Sequence, residues 1–480
     1  MDGSRRRWWA LVGVSLATFM TYIDNNVVNV ALPSIQRDLH LSISGLEWIV
    51  SAYILVFSGL MLVGGRLADV YGRRRLFISG LAVFTLASFL AGIATSPEML
   101  ISARVLQGVG AAMSMPSTLA IISAIFPDPK ERTQAVGIWA AVSALALALG
   151  PFTGGFISQR WHWGWIFLIN VPVGIATIAI TAASLTDSRE GVRRRLDLPG
   201  LATSAVALFA VTYALIEGHN RGWSSMPILG SFALSAVALA VFLLIESRSA
   251  EPMVDLSIFR SRVFSGGTSA LGLWGFGVMG IYFFTAMYLQ NVLGFSPTTA
   301  GAAFVPMALS MAATAPLAPL AVGRLGLHRT VALGTAIIVA ALLDISTVGE
   351  HGHFIDLMPA FVAFGIGSSF AMMPITDAVI GTLPPGKASA ASGIINAARE
   401  LSGLLGVTII GAILTSRAAA ASRSGAAPLH AFLEGYQLAI VIAAAIVAIG
   451  IPTAWITLRL PRTPAEPVDV TPVDTPVPIA

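Results

Sequence analysis

Residues 64–75 read Gly64-Gly65-Arg66-Leu67-Ala68-Asp69-Val70-Tyr71-Gly72-Arg73-Arg74-Arg75. One apolar run, 46–66, ends as this stretch begins, and another, 76–95, starts where it stops. Each is close to the ~20 residues a helix needs to cross a bilayer. The stretch is therefore a short loop between two antiparallel membrane helices. Gly65 and Gly72 permit a tight turn and close helix approach. Asp69 stands near a helix end, where it can pair with Arg73 or with a helix N-terminus. With Arg74 alongside, this cluster can latch two helix bundles and release as they rock. The plainer alternative is a basic anchor on the cytoplasmic side.

The rest of the chain repeats that pattern. Fourteen apolar stretches can be read, at 9–31, 46–66, 76–95, 99–125, 135–158, 164–184, 199–217, 227–246, 264–288, 299–321, 329–349, 357–381, 389–415 and 435–457. The composition agrees: 480 residues are 56% hydrophobic and only 11% charged, against about 25% charged in soluble domains. Mean hydropathy is +0.81. An ordinary soluble enzyme is excluded, because nothing could cover its surface. Arg5, Arg6 and Arg7 precede the first stretch as in a signal peptide, but the stretch is too long and no small-residue cleavage site follows. It is read as helix 1. With no cysteine, disulfides, thiolate metal sites and a cysteine nucleophile are excluded.

Charge placement sets the orientation. With the N-terminus cytoplasmic, 21 of the 28 Lys and Arg residues fall in cytoplasmic segments and 5 in outer loops, leaving Arg104 and Arg399 inside spans. This asymmetry predicts both termini inside and an even number of spans. Twelve spans would also be even, and 199–217 with 227–246 is the weakest pair. The basic residues sit in separate short loops, not on one face, which argues against a nucleic-acid partner. The tail from about 458, with six prolines after residue 460, is expected to be disordered.

Ionisable groups inside a bilayer cost ~3 to ~10 kcal/mol or more and are functional candidates by default. Asp24 and Arg104 lie at similar depth in the outer half and would stabilise each other if they faced one cavity. A carboxylate that gains and loses such a partner is a proton switch; a permanent structural pair is the alternative. Asp344 and Asp377 are further proton-coupling candidates, although Asp377 lies near enough to a span end to snorkel. Arg399 and Glu400 are helix neighbours about 100° apart and are expected to face other helices. Every His falls in a loop or at a span edge, so any intramembrane proton carrier is a carboxylate. No metal site is expected.

Helix 4 carries Arg104-Val105-Leu106-Gln107-Gly108, which puts Arg104 and Gln107 on one face. Helix 5 carries Gly150-Pro151-Phe152-Thr153-Gly154-Gly155, a bendable segment or a plain kink. Together with the 64–75 loop and Asp24-Asn25-Asn26-Val27-Val28-Asn29-Val30-Ala31-Leu32-Pro33, these stretches resemble the signature motifs of the major facilitator superfamily. The run 161–174, Trp-His-Trp-Gly-Trp-Ile-Phe-Leu-Ile-Asn-Val-Pro-Val-Gly, looks like the sixth-helix signature of its fourteen-helix drug:proton antiporter family. Asp197-Leu198-Pro199-Gly200 and Gln290-Asn291-Val292-Leu293-Gly294-Phe295-Ser296-Pro297 are similar to that family too. The resemblance covers roughly residues 10–415.

That resemblance implies an all-α membrane fold of fourteen spans: an N-terminal six-helix bundle (1–184), two inserted helices (185–263) and a C-terminal six-helix bundle (264–457), ahead of the 458–480 tail. It implies alternating access and export of amphipathic drugs or antibiotics in exchange for protons. Asp24 matches the family's helix 1 acid, Arg104 its helix 4 arginine, and Gly150, Pro151, Gly154 and Gly155 its antiporter motif. Candidate cavity residues are Asp24, Asn29, Gln107, Trp139 and Asn170. Asn26 stands where the family usually has Thr, and Ala140, Ala144 and Ala146 where it often has Gly.

Residues 381–388 nearly match a phosphate-binding loop, but Ala388 replaces the magnesium-binding hydroxyl, two prolines remove backbone donors and no strand precedes it. ATP is not expected to drive transport, and the proton motive force replaces a cofactor. The expected protein is a monomeric exporter of a bacterial cytoplasmic membrane. The alternatives are a dedicated exporter of one metabolite, siderophore or lipid, a nutrient-importing proton symporter, or a non-transporting receptor; a membrane enzyme fits least.

Overall fold

The computed structural model describes residues 3–185, 197–249, 252, 254–381 and 388–459. The expected disordered tail and the basic segment 186–196 lie almost wholly outside the described residues. Every regular element among the described residues is helical. In chain order these are α1 (Gly3–Leu39), α2 (Ile43–Tyr71), α3 (Arg73–Gly92), α4 (Pro97–Ser114), α5 (Ser117–Ile125), α6 (Pro129–Arg160), α7 (Trp165–Leu168), α8 (Asn170–Ser184), α9 (Leu198–Arg221) and α10 (Met226–Arg248). The second half holds α11 (Arg262–Asn291), α12 (Pro297–Ala302), α13 (Val305–Thr314), α14 (Leu317–Leu325), α15 (Leu327–Thr347), α16 (Phe354–Gly381), α17 (Ala388–Arg423), α18 (Pro428–Ala448) and α19 (Gly450–Thr457).

Local chemistry explains many of the boundaries. Ser42, Ser96, Asp128 and Ser296 each accept a hydrogen bond from a backbone N–H at a helix start, and proline follows the cap in α4, α6 and α12. Gly72 ends α2 and starts α3 at φ 100°, a conformation that only glycine adopts without strain.

The helices pair in a repeated pattern. In the first half α1 packs on α6 and α8, α3 on α4 and α8, and α2 on α4. In the second half α11 packs on α17 and α18, α15 on α16 and α18, and α13 on α16. The same scheme, used twice, is an internal repeat. The seam between the halves obeys it as well, for α6 meets α12 and α2 meets α17. The helices α9 and α10 pack on each other, and α9 also lies against α2 and α17.

Among the described residues, twelve helical stretches are long and apolar enough to cross a membrane, and α6 is a thirteenth once its 41° bend between Lys130–Leu147 and Leu149–Arg160 is counted as one span. The expected count is fourteen, and the difference is α1. This helix runs unbroken through the first half, but Asp24, Asn25, Asn26 and Asn29 lower its hydropathy. All four are buried, so the polar run faces protein.

Candidate functional site

The centre of the first half is built on Asp24 and Arg104, both with no exposed side-chain surface. Arg104 Nη1 donates to Asp24 Oδ2 at 2.5 Å and to Gln107 Oε1 at 2.9 Å, and its Nε donates to the Ile49 carbonyl at 3.1 Å. Gln107 Nε2 donates to Asp24 Oδ1 at 3.0 Å and to Ser88 Oγ at 2.8 Å. Asn170 Nδ2 reaches the same Oδ1 at 2.8 Å. The guanidinium lies 4.3 Å from the Tyr53 ring centre and 5.7 Å from that of Phe167, cation–π contacts that gain from desolvation. Its Nη2 has no hydrogen-bond partner among the described residues. Six helical elements (α1, α2, α3, α4, α7 and α8) thus meet in one cluster around Asp24 and Arg104.

The remaining sequence candidates are placed as follows. Gln107 and Asn170, expected to line a cavity, are buried in this cluster with Asp24. Asn29 is buried on α1, with its Oδ1 unpartnered among the described residues. Trp139 is half-buried, and its indole donates to Thr18 Oγ1 at 2.8 Å. Asp344 and Asp377 are exposed near the ends of α15 and α16, and neither is part of the Asp24 cluster. Residues 64–75, expected as a short loop, are helical except at Gly72, because α2 continues to Tyr71 and α3 begins at Arg73. From the start of α3, Arg74 Nη2 donates to the Ala182 carbonyl of α8 at 2.8 Å, a bond within the first half. Gly65 stands over Pro116. The side chain of Asp69 lies outside the described residues.

The glycines of α6 act on two faces. A Cβ at Gly150 would sit 2.6 Å from Asn26 Cβ, and one at Gly154 would overlap the Val27 carbonyl of α1. On the opposite face, a Cβ at Gly155 would overlap the Pro297 carbonyl, and one at Gly301 of α12 would overlap that of Pro151. Thr298 N donates to Gln159 Oε1 at 3.1 Å across the same seam. Backbone therefore meets backbone on both sides of α6, between α1 and the second half. The antiporter-like run is a packing device, and its Asn26 contact lies two residues from Asp24.

The Trp161–Gly174 run anchors the far end of α1. Trp163 Nε1 donates to Asp38 Oδ2 at 2.7 Å and His162 Nε2 lies 3.2 Å from the same atom. The indole bond holds the Asp38 carboxyl below the usual carboxylate range, against a smaller opposing effect of burial.

One group and one pairing escape sequence reasoning. Glu47 is buried, with Oε1 unpartnered among the described residues. It sits at the very edge of the 46–66 run and so does not count as an intramembrane charge in the sequence. Arg399 and Glu400, neighbours in sequence, do pair, at 2.8 Å. Tyr22 of α1 is a further neighbour of Arg399. The long guanidinium bridges the angle between the two side chains.

The sequence model described as "Major Facilitator Superfamily" matches residues 14–407. The puromycin resistance protein pur8 of Streptomyces alboniger is 35% identical over 461 residues, 94% of this chain and 92% of that one. The tetracenomycin C resistance and export protein of Streptomyces glaucescens is 33% identical, covering 86% of this chain and 77% of its own. Among solved structures, a bacterial homologue of the human lysosomal transporter Spinster in an inward-facing conformation superposes with a TM-score of 0.68 at 16% identity, covering 94% of this chain and 97% of its own. A D-xylose-proton symporter gives 0.67 at 11% identity, covering 94% and 98%. With this family match, the repeated helix pairing and the apolar helices, the chain belongs to the Major Facilitator Superfamily and is a multi-pass membrane transporter, not an enzyme.

Proposed function

We propose that the protein is a proton-coupled antiporter that exports amphipathic drugs or antibiotics across the bacterial cytoplasmic membrane. The relatives named for puromycin and tetracenomycin C resistance support the substrate class. The observation that carries the coupling is the placement of Asp24. Its charge is balanced by one cation and two amide donors inside the first half, and two residues along the same helix Asn26 packs on Gly150. A proton arriving on Asp24 removes the charge that holds Arg104. The resulting shift of α1 passes straight to α6, whose other face closes on α12.

In this reading residues 1–184 and 264–457 are two six-helix bundles rocking about a central cavity, and 185–263 adds two spans, for fourteen in all with both termini cytoplasmic. Asp24 and Arg104 carry proton coupling, and Asn29, Gln107, Trp139 and Asn170 reach substrate in states where the bundle opens. Asp344 and Asp377 are secondary proton sites. The 64–75 loop latches the cytoplasmic side. The protein works as a monomer without nucleic acid, nucleotide or resident cofactor. One proton crossing ~150 mV supplies about 3.5 kcal/mol, enough to hold a few-hundred-fold gradient of a neutral drug.

The test uses inside-out vesicles energised to an acid lumen, with amphipathic cations and antibiotics added while lumenal pH is followed. Collapse of the gradient on adding a compound, absent in Asp24→Asn, is the expected result. Wild-type export by Asp24→Asn would sink the assignment. No response across the panel would favour the dedicated exporter of one host metabolite.

A further inference from the structure

Glu47 lies one turn into α2, on the face that meets the second half of the molecule. It is 2% exposed, and its Oε1 has no hydrogen-bond partner among the described residues. A Cβ at Gly411 of α17 would collide with this carboxyl group and would lie 3.0 Å from the Phe284 ring. The acid is therefore pressed onto glycine backbone in the seam between α2 and α17, beside an aromatic edge.

No cation faces it. From α9 the charged neighbour that acts on it is another carboxylate, Glu217. Glu217 is engaged by Trp48 Nε1 at 3.1 Å and Asn220 Nδ2 at 3.4 Å, and it lies 3.9 Å from Arg221 Nε. On α17, Arg399 and Glu400 pair with each other about three turns away, Arg417 pairs with Glu434 at 2.9 Å, and Arg423 is at the far end of the helix. On α4, Arg104 is held by Asp24, and Glu98 adds only negative charge. On α1, Asp24 is that same partner, and the exposed Arg37 at its end donates to the Pro33 carbonyl and Ser34 Oγ of its own helix. On α11 the only basic residue, Arg262, is at the opposite end. An ionised Glu47 would be a buried charge with no ion-pair partner among the described residues and no donor on Oε1, whereas the neutral acid fits without that cost.

We propose that Glu47 is a second proton-binding residue of the transport cycle, which carries its proton while α2 and α17 are closed on each other and releases it when that seam opens to water. This deepens the proton-coupled reading and rests on it. Asp24 is buried within one half and is paired with Arg104 in this state. Glu47 is pressed against Gly411 of the second half, across the contact between α2 and α17. Its protonation is thus tied to closure itself, and proton uptake from the outer side would favour resealing after substrate has left.

The sign follows from linkage. If closure takes up one proton, the open-to-closed ratio rises with pH by up to tenfold per unit. The absence of native cysteine allows a clean measurement. Spin labels at Arg37→Cys and Ser422→Cys, both exposed positions on either side of the seam, report its width by pulsed electron resonance between about pH 5 and 9. The expected result is a growing long-distance population at high pH, abolished in Glu47→Gln, which stays short throughout, and retained in Glu47→Asp, which keeps an acid. A residue that only packs would give no such split between Gln and Asp. Should Glu47→Gln not fold, Glu47→Met, of similar length, serves the same comparison.

A wild-type pH response in the neutral variant, or no response in the wild type, overturns the proposal. Asp24→Asn runs in parallel. A response lost there and kept in Glu47→Gln overturns the role of Glu47 and leaves Asp24 coupling standing. Proton-independent export together with a Glu47-dependent seam would sink the antiport reading and uphold Glu47 as the group that titrates the seam.

Discussion

At the scale of single residues the decisive fact is that the Asp24–Arg104 pair has no route to solvent in this state. Breaking a buried pair by deleting one partner costs about 3–5 kcal/mol, because the other charge is left uncompensated. Arg104→Leu is therefore expected to lower the thermal midpoint in detergent sharply, and Arg104→Leu with Asp24→Asn to recover most of that loss. Additive losses in the double variant would show that the two residues do not act as a pair. This much is legible in the sequence: an acid and an arginine at matching depth in apolar runs are too costly to stand apart. Gln107 is legible too, three residues from Arg104. Ser88 and Tyr53 are not, because nothing separates them from the many serines and tyrosines that membrane helices carry. Glu47 escapes for another reason. Span edges are uncertain by a few residues, and an acid at an edge reads as interfacial until the neighbouring half covers it.

At the scale of elements, α6 is the piece that joins chemistry to movement. Its glycines differ in what a methyl group would meet, which makes them separable. Gly154→Ala drives a Cβ into the Val27 carbonyl within the first half and should destabilise the protein by about 1–3 kcal/mol, read as a lower thermal midpoint. Gly155→Ala meets the Pro297 carbonyl across the seam. It should leave folding of either half nearly intact but keep the seam from closing, so vesicle export falls at least tenfold while the midpoint stays within a few degrees. Gly137→Ala has open space around it and should change neither. Equal losses of stability at positions 154 and 155 would mean that the seam does not open. The Gly-Pro-Gly-Gly run is conspicuous in the sequence, and bending can be read from it. Its two-sided packing cannot, because a helix does not declare which neighbours its faces will meet.

For the whole molecule the apolar runs were readable because each span must satisfy its own backbone hydrogen bonds in lipid, which makes its length nearly fixed. The pairing of spans comes from small residues and side-chain shape on several helices at once, so the repeated scheme of α6 on α12 and α2 on α17 emerges only in three dimensions. The pair α9 and α10 is where topology is decided. The α10 surface is largely exposed, with Leu229, Leu234, Val237, Leu239 and Leu243 all open, a face that suits lipid and would be an aggregation hazard in water. If both helices span, the turn between them lies outside and the end of α10 inside. In the cysteine-free chain, Ser224→Cys in that turn should then react with an impermeant maleimide on intact cells. Ser247→Cys, at the end of α10, should react only after the membrane is permeabilised. Both positions are exposed in the structure, so protection would report the membrane and not burial in protein. Labelling of both from one side would leave the two six-helix halves in place and reduce α9 and α10 to a hairpin lying on the bilayer surface, giving twelve spans with the termini still on a common side.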